Sequence, residues 1–364
     1  MAGLAICVGI GMNMKWNIFV IAGTFLCLAM IGLVTIVIDP FFHYHAPVEG
    51  LSYELLEENS RYQNDGIARH WEYDALITGS SMTQNFKTST MDEIFGVQSI
   101  KVAYSGARYK EINDGLVRAF EANPNIQVVV RGLDLAMLVS DKDAVRKDYE
   151  YPDYMTNDNV WDDVSYLLNK EILLNNTLDT LRYTLSGEET TSFDEYGRLH
   201  DDFTFGREAV LASYTVEEQR DFVRELTDQE RKMIGENLEQ NVLELAREHP
   251  ETTFYLFFPP YSICYWDEMN GYNEVLFMLE AQEYAMAQLL EQSNIKLYCF
   301  WSNYDMICNL DNYFDALHYG EWINDDILQW MYEEKYLLTK DNYQEHMKEL
   351  RDFFTAYDYA SLHQ

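Results

Sequence analysis

Gly79-Ser80-Ser81-Met82-Thr83 follows a short apolar run at residues 74–78. A small residue and then serine at a strand-to-helix turn exposes a hydroxyl and aims helix N-terminal amides toward it. The same spacing also suits a serine that only caps the helix. A hydroxyl nucleophile needs a base nearby. Of the eight histidines, His43 and His45 lie just after a long apolar stretch, and His70 precedes the first short run. His200 falls in an irregular region, His249 ends a helical pattern, and His346 and His363 lie near the C-terminus. His318 remains, after the last apolar run, in Phe314-Asp315-Ala316-Leu317-His318. An Asp three residues before a His can reach its second ring nitrogen on one local turn, fixing the tautomer and supporting the imidazolium. Ser81 then reads as nucleophile, His318 as general base and Asp315 as the residue that orients it. The alternative for Asp315 and His318 is an ordinary hydrogen-bonded loop pair.

These residues need a scaffold that brings positions far apart in the chain to one edge. Apolar runs at 74–78, 99–104, 127–130, 253–258 and 295–301 lack polar alternation, as strands buried on both faces of a parallel sheet do. Helical patterns at about 110–122, 228–248 and 274–292 separate them, and 320–334 and 340–354 read as closing helices. The alternation predicts an α/β fold, a doubly wound parallel five-stranded sheet of flavodoxin-like type. Ligands of such sheets sit at the carboxyl ends of the strands, where Ser81 falls. Residues of about 140–225, rich in Asp, Asn, Tyr and Thr, break the rhythm and read as an insertion without a clear core of its own.

The pairing of Gly79-Ser80-Ser81-Met82 at the first strand end with Asp315-x-x-His318 near the C-terminus resembles the SGNH/GDSL hydrolase superfamily. Ser81 matches its nucleophile and Ser80 replaces an Asp. The resemblance implies an oxyanion hole made by the amides of Ser81 and Gly106, the glycine after the second run. It also implies an Asn donor after the third run, where Gly132-Leu133-Asp134 puts Asp134. An ionised carboxylate cannot donate and would repel an oxyanion; a protonated one could donate. The preferred expectation is that Asp134 caps a helix or pairs with a cation such as Arg131 or Arg108. The stretch 59–66 is similar to the membrane-anchored branch, which includes the D-alanyl-lipoteichoic-acid biosynthesis proteins and the alginate and peptidoglycan O-acetylation proteins. That branch implies action on a cell-surface polysaccharide or teichoic-acid-like polymer, with a membrane-bound O-acyltransferase as partner.

The anchor itself is legible from charge. No Asp or Glu precedes Asp39, and Lys15 is the only Lys or Arg before it. Residues 18–38 carry no charge and, as a helix, span roughly 31 Å, the thickness of a bilayer core. No A-x-A-like cleavage site follows, so the segment reads as an uncleaved transmembrane signal anchor. Lys15 before it and Asp39 after it put residues 1–17 in the cytoplasm and the rest outside the cell membrane. Met14-Lys15-Trp16 also reads as a natural start for such an anchor. The division expected is then 39–70 as a juxtamembrane segment, 71–335 as the SGNH-like domain and 336–364 as a C-terminal helix and tail. The aromatic stretch 41–44 suits the bilayer interface.

The chain of 364 residues has 26 Lys and Arg against 61 Asp and Glu, a formal charge of −35, which repels nucleic acid. No C-x-x-C and no G-x-x-x-x-G-K-[ST] occurs, and His43 and His45 have no Cys or carboxylate cluster beside them, so neither metal nor cofactor is expected. Two functions fit: an anchored serine esterase or acyltransferase, or a non-catalytic glycan-binding or scaffold protein on a degenerate SGNH fold. The 27 tyrosines and Asp134 favour the second.

Overall fold

The computed structural model describes residues 2–146, 152–157, 159–199, 203–215 and 223–364. The five apolar runs form β1 (Ala75–Gly79), β2 (Ser99–Ala103), β3 (Val128–Gly132), β4 (Thr253–Phe258) and β5 (Ile295–Cys299). They pair in parallel, and their side chains are buried almost throughout, which is why polar alternation is missing. The sheet is not a five-stranded parallel one, however. A sixth strand, β6 (Leu337–Leu338), pairs antiparallel with β5, giving a mixed sheet in the order β2-β1-β3-β4-β5-β6. Two residues are too few to show a strand period, so β6 is invisible in a segment that reads as tail.

Two buried strand positions carry charges that the buried-run pattern does not anticipate. Lys101 in β2 is buried, and its ammonium donates to the carbonyls of Gln84 (2.5 Å) and Phe86 (2.9 Å). Arg131 in β3 is also buried and donates to the carbonyls of Asn241 (2.7 Å) and Tyr109 (3.4 Å). Carbonyl partners offset the cost of desolvating these cations.

Four helices precede the insertion: α1 (Ala2–Ile38), α2 (Ser60–His70), α3 (Thr88–Phe95) and α4 (Tyr109–Ala122). Within α1, Met14–Ile38 is long and apolar enough to cross a membrane by length and composition. Just after α1 the chain folds around one carboxylate. Asp39, with φ 45°, accepts hydrogen bonds from the amides of His43, Tyr44 and His45 and from the Tyr166 hydroxyl. This reversal buries Phe41 and Phe42 inside the protein, so these rings do not face the bilayer interface as the sequence suggests. Helix α2 then spans from this knot to the sheet: Gln63 donates to the Pro40 carbonyl, and Asn64 donates to the Ala103 carbonyl at the end of β2 (2.8 Å).

The insertion includes α5 (Val164–Leu167), a π-helical turn (Ile172–Thr177) and α6 (Leu178–Ser186). Met155, Tyr166 and Ile172 share a small core with Phe41, so this part packs on the knot after α1 rather than standing alone.

Candidate active site

The first strand ends at Gly79, whose φ of +149° disfavours an L side chain. A Cβ there would lie 2.6 Å from Thr83 Cγ2 and 3.3 Å from the Gly132 nitrogen, so β1, β3 and the following turn close only around a hydrogen. Ser80 is extended and its hydroxyl caps the turn Ser81–Thr83, accepting from the Met82 amide at 3.3 Å. The capping role that the spacing allowed for Ser81 therefore falls to Ser80. Ser81 is left half-buried with its hydroxyl directed elsewhere.

That direction is toward His318. Ser81 Oγ lies 2.8 Å from His318 Nε2, and His318 Nδ1 lies 2.7 Å from Asp315 Oδ2. The other Asp315 oxygen accepts from the amides of Leu317 (2.8 Å) and His318 (2.6 Å). Burial alone pushes the Asp315 carboxyl up, but the hydrogen bonds and charge of His318 and the two amides outweigh it, and the net pKa is lowered. Asp315 is thus a carboxylate that aligns the ring through Nδ1.

The loop that carries this pair is tied on several sides. Tyr313 and Tyr319 form an antiparallel bridge across its base. The Ala316 carbonyl accepts from the Ser262 hydroxyl at 2.7 Å, and the Ala316 amide donates to Ser213 Oγ at 3.2 Å. The Tyr319 hydroxyl donates to the Met82 carbonyl at 3.2 Å, which links the histidine loop to the serine turn directly. Phe314 stacks on the His318 ring, 5.2 Å between centroids and 4° between planes. Sequence reading did not find Tyr319, Ser262 or Ser213; Tyr319, next to His318, was the one a local signal could have flagged.

Gly106 sits in the turn after β2 with φ +63°, a left-handed value that glycine adopts without strain. Its neighbour Ser105 offers a carbonyl that accepts from the guanidinium groups of Arg61 and Arg146, each at 3.3 Å. Glu111 completes the clamp: it pairs with Arg61 at 3.2 Å and accepts from the amides of Arg108 (2.9 Å) and Arg146 (3.0 Å).

Asp134 differs from the expectation. Its side chain does not cap the turn Leu135–Met137, and neither Arg131 nor Arg108 is its partner. Arg131 is spent on backbone carbonyls, and the Arg108 side chain donates to the Met137 sulfur. Instead, the buried carboxyl of Asp134 accepts from the Tyr261 hydroxyl at 2.7 Å, with the Ser80 hydroxyl nearby. Burial, the largest influence, raises its pKa; the Ser80 and Tyr261 hydroxyls and the nearby His318 oppose but do not cancel it. The reason for the miss is long range: Tyr261 arrives from the loop after β4, which no local spacing reveals.

Among the described residues no group of three or more His, Cys, Asp or Glu is placed to hold a metal ion. His45 hydrogen-bonds the carbonyls of Ala46 and Ile36 instead. His200 lies outside the described residues.

No family model matches the chain, and no curated protein matches it. A solved structure named "putative platelet activating factor" from Streptococcus pneumonia is similar over 77% of this chain and 92% of its own, at 11% identity and a TM-score of 0.35. A likeness of that depth carries no argument.

Proposed function

We propose that this chain is a serine esterase or acyltransferase of SGNH type. The observation that carries the proposal is the unbroken relay from Ser81 Oγ through both ring nitrogens of His318 to an ionised Asp315. In the reaction, Ser81 Oγ attacks the carbonyl carbon of an ester while His318 Nε2 takes its proton. The Ser81 and Gly106 amides face the developing oxyanion, and a protonated Asp134 adds a third donor. When the tetrahedral intermediate collapses, His318 returns the proton to the leaving alkoxide, and an acyl group stays on Ser81. Water, or the hydroxyl of an acceptor, then gives its proton to His318 and takes the acyl group, and His318 passes that proton to Ser81 Oγ as the Oγ–acyl bond breaks. Asp315 remains ionised throughout and holds Nδ1–H in place.

The setting we propose is a cell membrane, with residues 1–17 inside, 18–38 crossing and the rest outside. Residues 39–70 link the anchor to a domain of 71–335 that includes the insertion, and 336–364 close it. The length and apolarity of Met14–Ile38 support the crossing. The acceptor would be a cell-surface polysaccharide or teichoic-acid-like polymer, and a membrane-bound O-acyltransferase would supply the acyl group. A second reading, a non-catalytic glycan-binding or scaffold protein, is favoured by Asp134 standing where an amide donor is expected. A fluorophosphonate probe on the purified full chain separates the two. The enzyme reading expects labelling that vanishes in Ser81→Ala at unchanged melting temperature; a wild-type chain that stays unlabelled favours the scaffold.

A further inference from the structure

The insertion exposes an unusual set of apolar side chains. Trp161 is 86% and Val160 71% exposed, and Val164 and Leu168 are also open to solvent. Trp161, Val164 and Leu168 are spaced by three and four residues, so they share one side of the turn that runs into α5. Two of their neighbours are turned inward. Tyr166 turns inward to Asp39, and Asp163 turns to the hydroxyl of Tyr44 at 2.9 Å.

The location of this face decides what covers it. α5 packs directly on α1: a Cβ at Gly32 would lie 3.7 Å from Leu167 Cβ and 4.0 Å from Leu168 Cδ2. Thr35, fully buried, donates its hydroxyl to the Leu167 carbonyl at 3.4 Å. Gly32 and Thr35 both lie inside the uncharged run of 18–38. Gly32 is six residues before its end, roughly 9 Å along the helix axis. Residues that touch Gly32 therefore sit below the outer boundary of the apolar run, not above it. Leu33, Val34 and Val37 of α1 are exposed as well, so apolar side chains are open on both elements.

We infer that Val160, Trp161, Val164 and Leu168 are immersed in the outer leaflet of the same bilayer that α1 crosses. The occupant of this face is lipid. Depth supports this choice, because Leu168 of this face reaches Gly32 inside the apolar run. Composition supports it too: Trp suits the level of the headgroups, with aliphatic residues beneath. Lys170 and Glu171, exposed on the next turn, reach the headgroups by extending their side chains. The domain is then held at two points, the anchor and the insertion. Two attachments restrain its tilt over the membrane, where a single helix would leave it free to swing.

The inference rests on the membrane reading of α1, and the test keeps the two apart. The full chain, with Cys7, Cys27 and Cys308 replaced by Ala, is reconstituted in phosphatidylcholine vesicles. An environment-sensitive fluorophore is attached through Trp161→Cys, Leu168→Cys, Phe25→Cys or Lys348→Cys in turn. Nitroxide lipids labelled near the headgroup are expected to quench probes at 161 and 168 by at least about twofold, with blue-shifted emission. Deep nitroxides should quench the probe at 25, and only aqueous iodide the probe at 348. Quenching at 25 with water-like behaviour at 161 and 168 would overturn the inference and leave the anchor standing. Water-like behaviour at 25 as well would remove both.

Discussion

Asp134→Asn tests the most unusual feature of the site, a buried carboxyl where an amide donor would serve. The substitution is close to isosteric. The new amide keeps an oxygen for the Tyr261 hydroxyl, now at 2.7 Å from Oδ1. Its nitrogen brings two protons that need acceptors, and the nearby Ser80 hydroxyl already accepts from the Met82 amide at 3.3 Å. The net change in folding is about one neutral hydrogen bond, roughly 1 kcal/mol in either direction, or a Tm shift within about 4 °C. The change in rate should be larger. A permanent N–H donor replaces a group that donates only when protonated, and one oxyanion donor is worth about 10²-fold, near 2.7 kcal/mol. The pH dependence gives the sign. The folded pKa of Asp134 is raised by burial, so this group helps the rate at low pH and hinders it as pH rises through that value. The stabilities behave in the same sense. Between the unfolded pKa, near 3.9, and the raised folded value, the folded state binds more protons, so this contribution falls as pH rises. The Asn variant lacks both effects, and its advantage over wild type should grow with pH. Hydrolysis of 4-nitrophenyl acetate across pH, with melting temperature measured alongside, reads all of this. A rate that is flat or reduced, together with a Tm loss of many degrees, would refute the donor role and make Asp134 a structural carboxyl.

Four further outcomes rest on the same geometry. Asp315→Ala should lose about 10⁴-fold in turnover yet stay above Ser81→Ala, because it orients the base and does not react; an Asp315→Ala variant less active than Ser81→Ala would contradict the roles. Asp315 also has a lowered pKa, so its stabilisation is present above the unfolded value and is lost as acid takes the pH down through the folded one, a loss that acid titration of Asp315→Asn should not show. Tyr319→Phe leaves the Met82 carbonyl without its donor, and should cost about 1–2 kcal/mol by denaturant titration and lower kcat on the order of 10-fold with little change in KM. Gly79→Ala should cost about 3 kcal/mol through strain and crowding against Thr83, and Thr83→Ser in the same chain, which removes Cγ2, should recover part of it; no recovery would place the strain in the backbone alone.

Much of the scaffold could be read from local pattern. Strands buried on both faces leave unbroken apolar runs, and an uncharged helix long enough to span a bilayer stands out by its composition. Asp315 and His318 were legible because three residues on one turn let the pair meet without help from the rest of the chain. Ser81 was legible as a serine at a strand end, and its pairing with His318, 237 positions away, came from eliminating the other histidines. The tertiary structure alone decided which serine caps the turn, which tyrosines hold the site, and where the insertion rests. Ser80, Tyr261, Tyr319, Lys101 and Arg131 are buried polar groups, and each must find a partner or lose the free energy of its desolvation. Those partners come from distant segments, and many placements satisfy the same composition. Period and charge are written along a chain because they arise between near neighbours; the partner of a buried polar group exists only once the chain has closed around it.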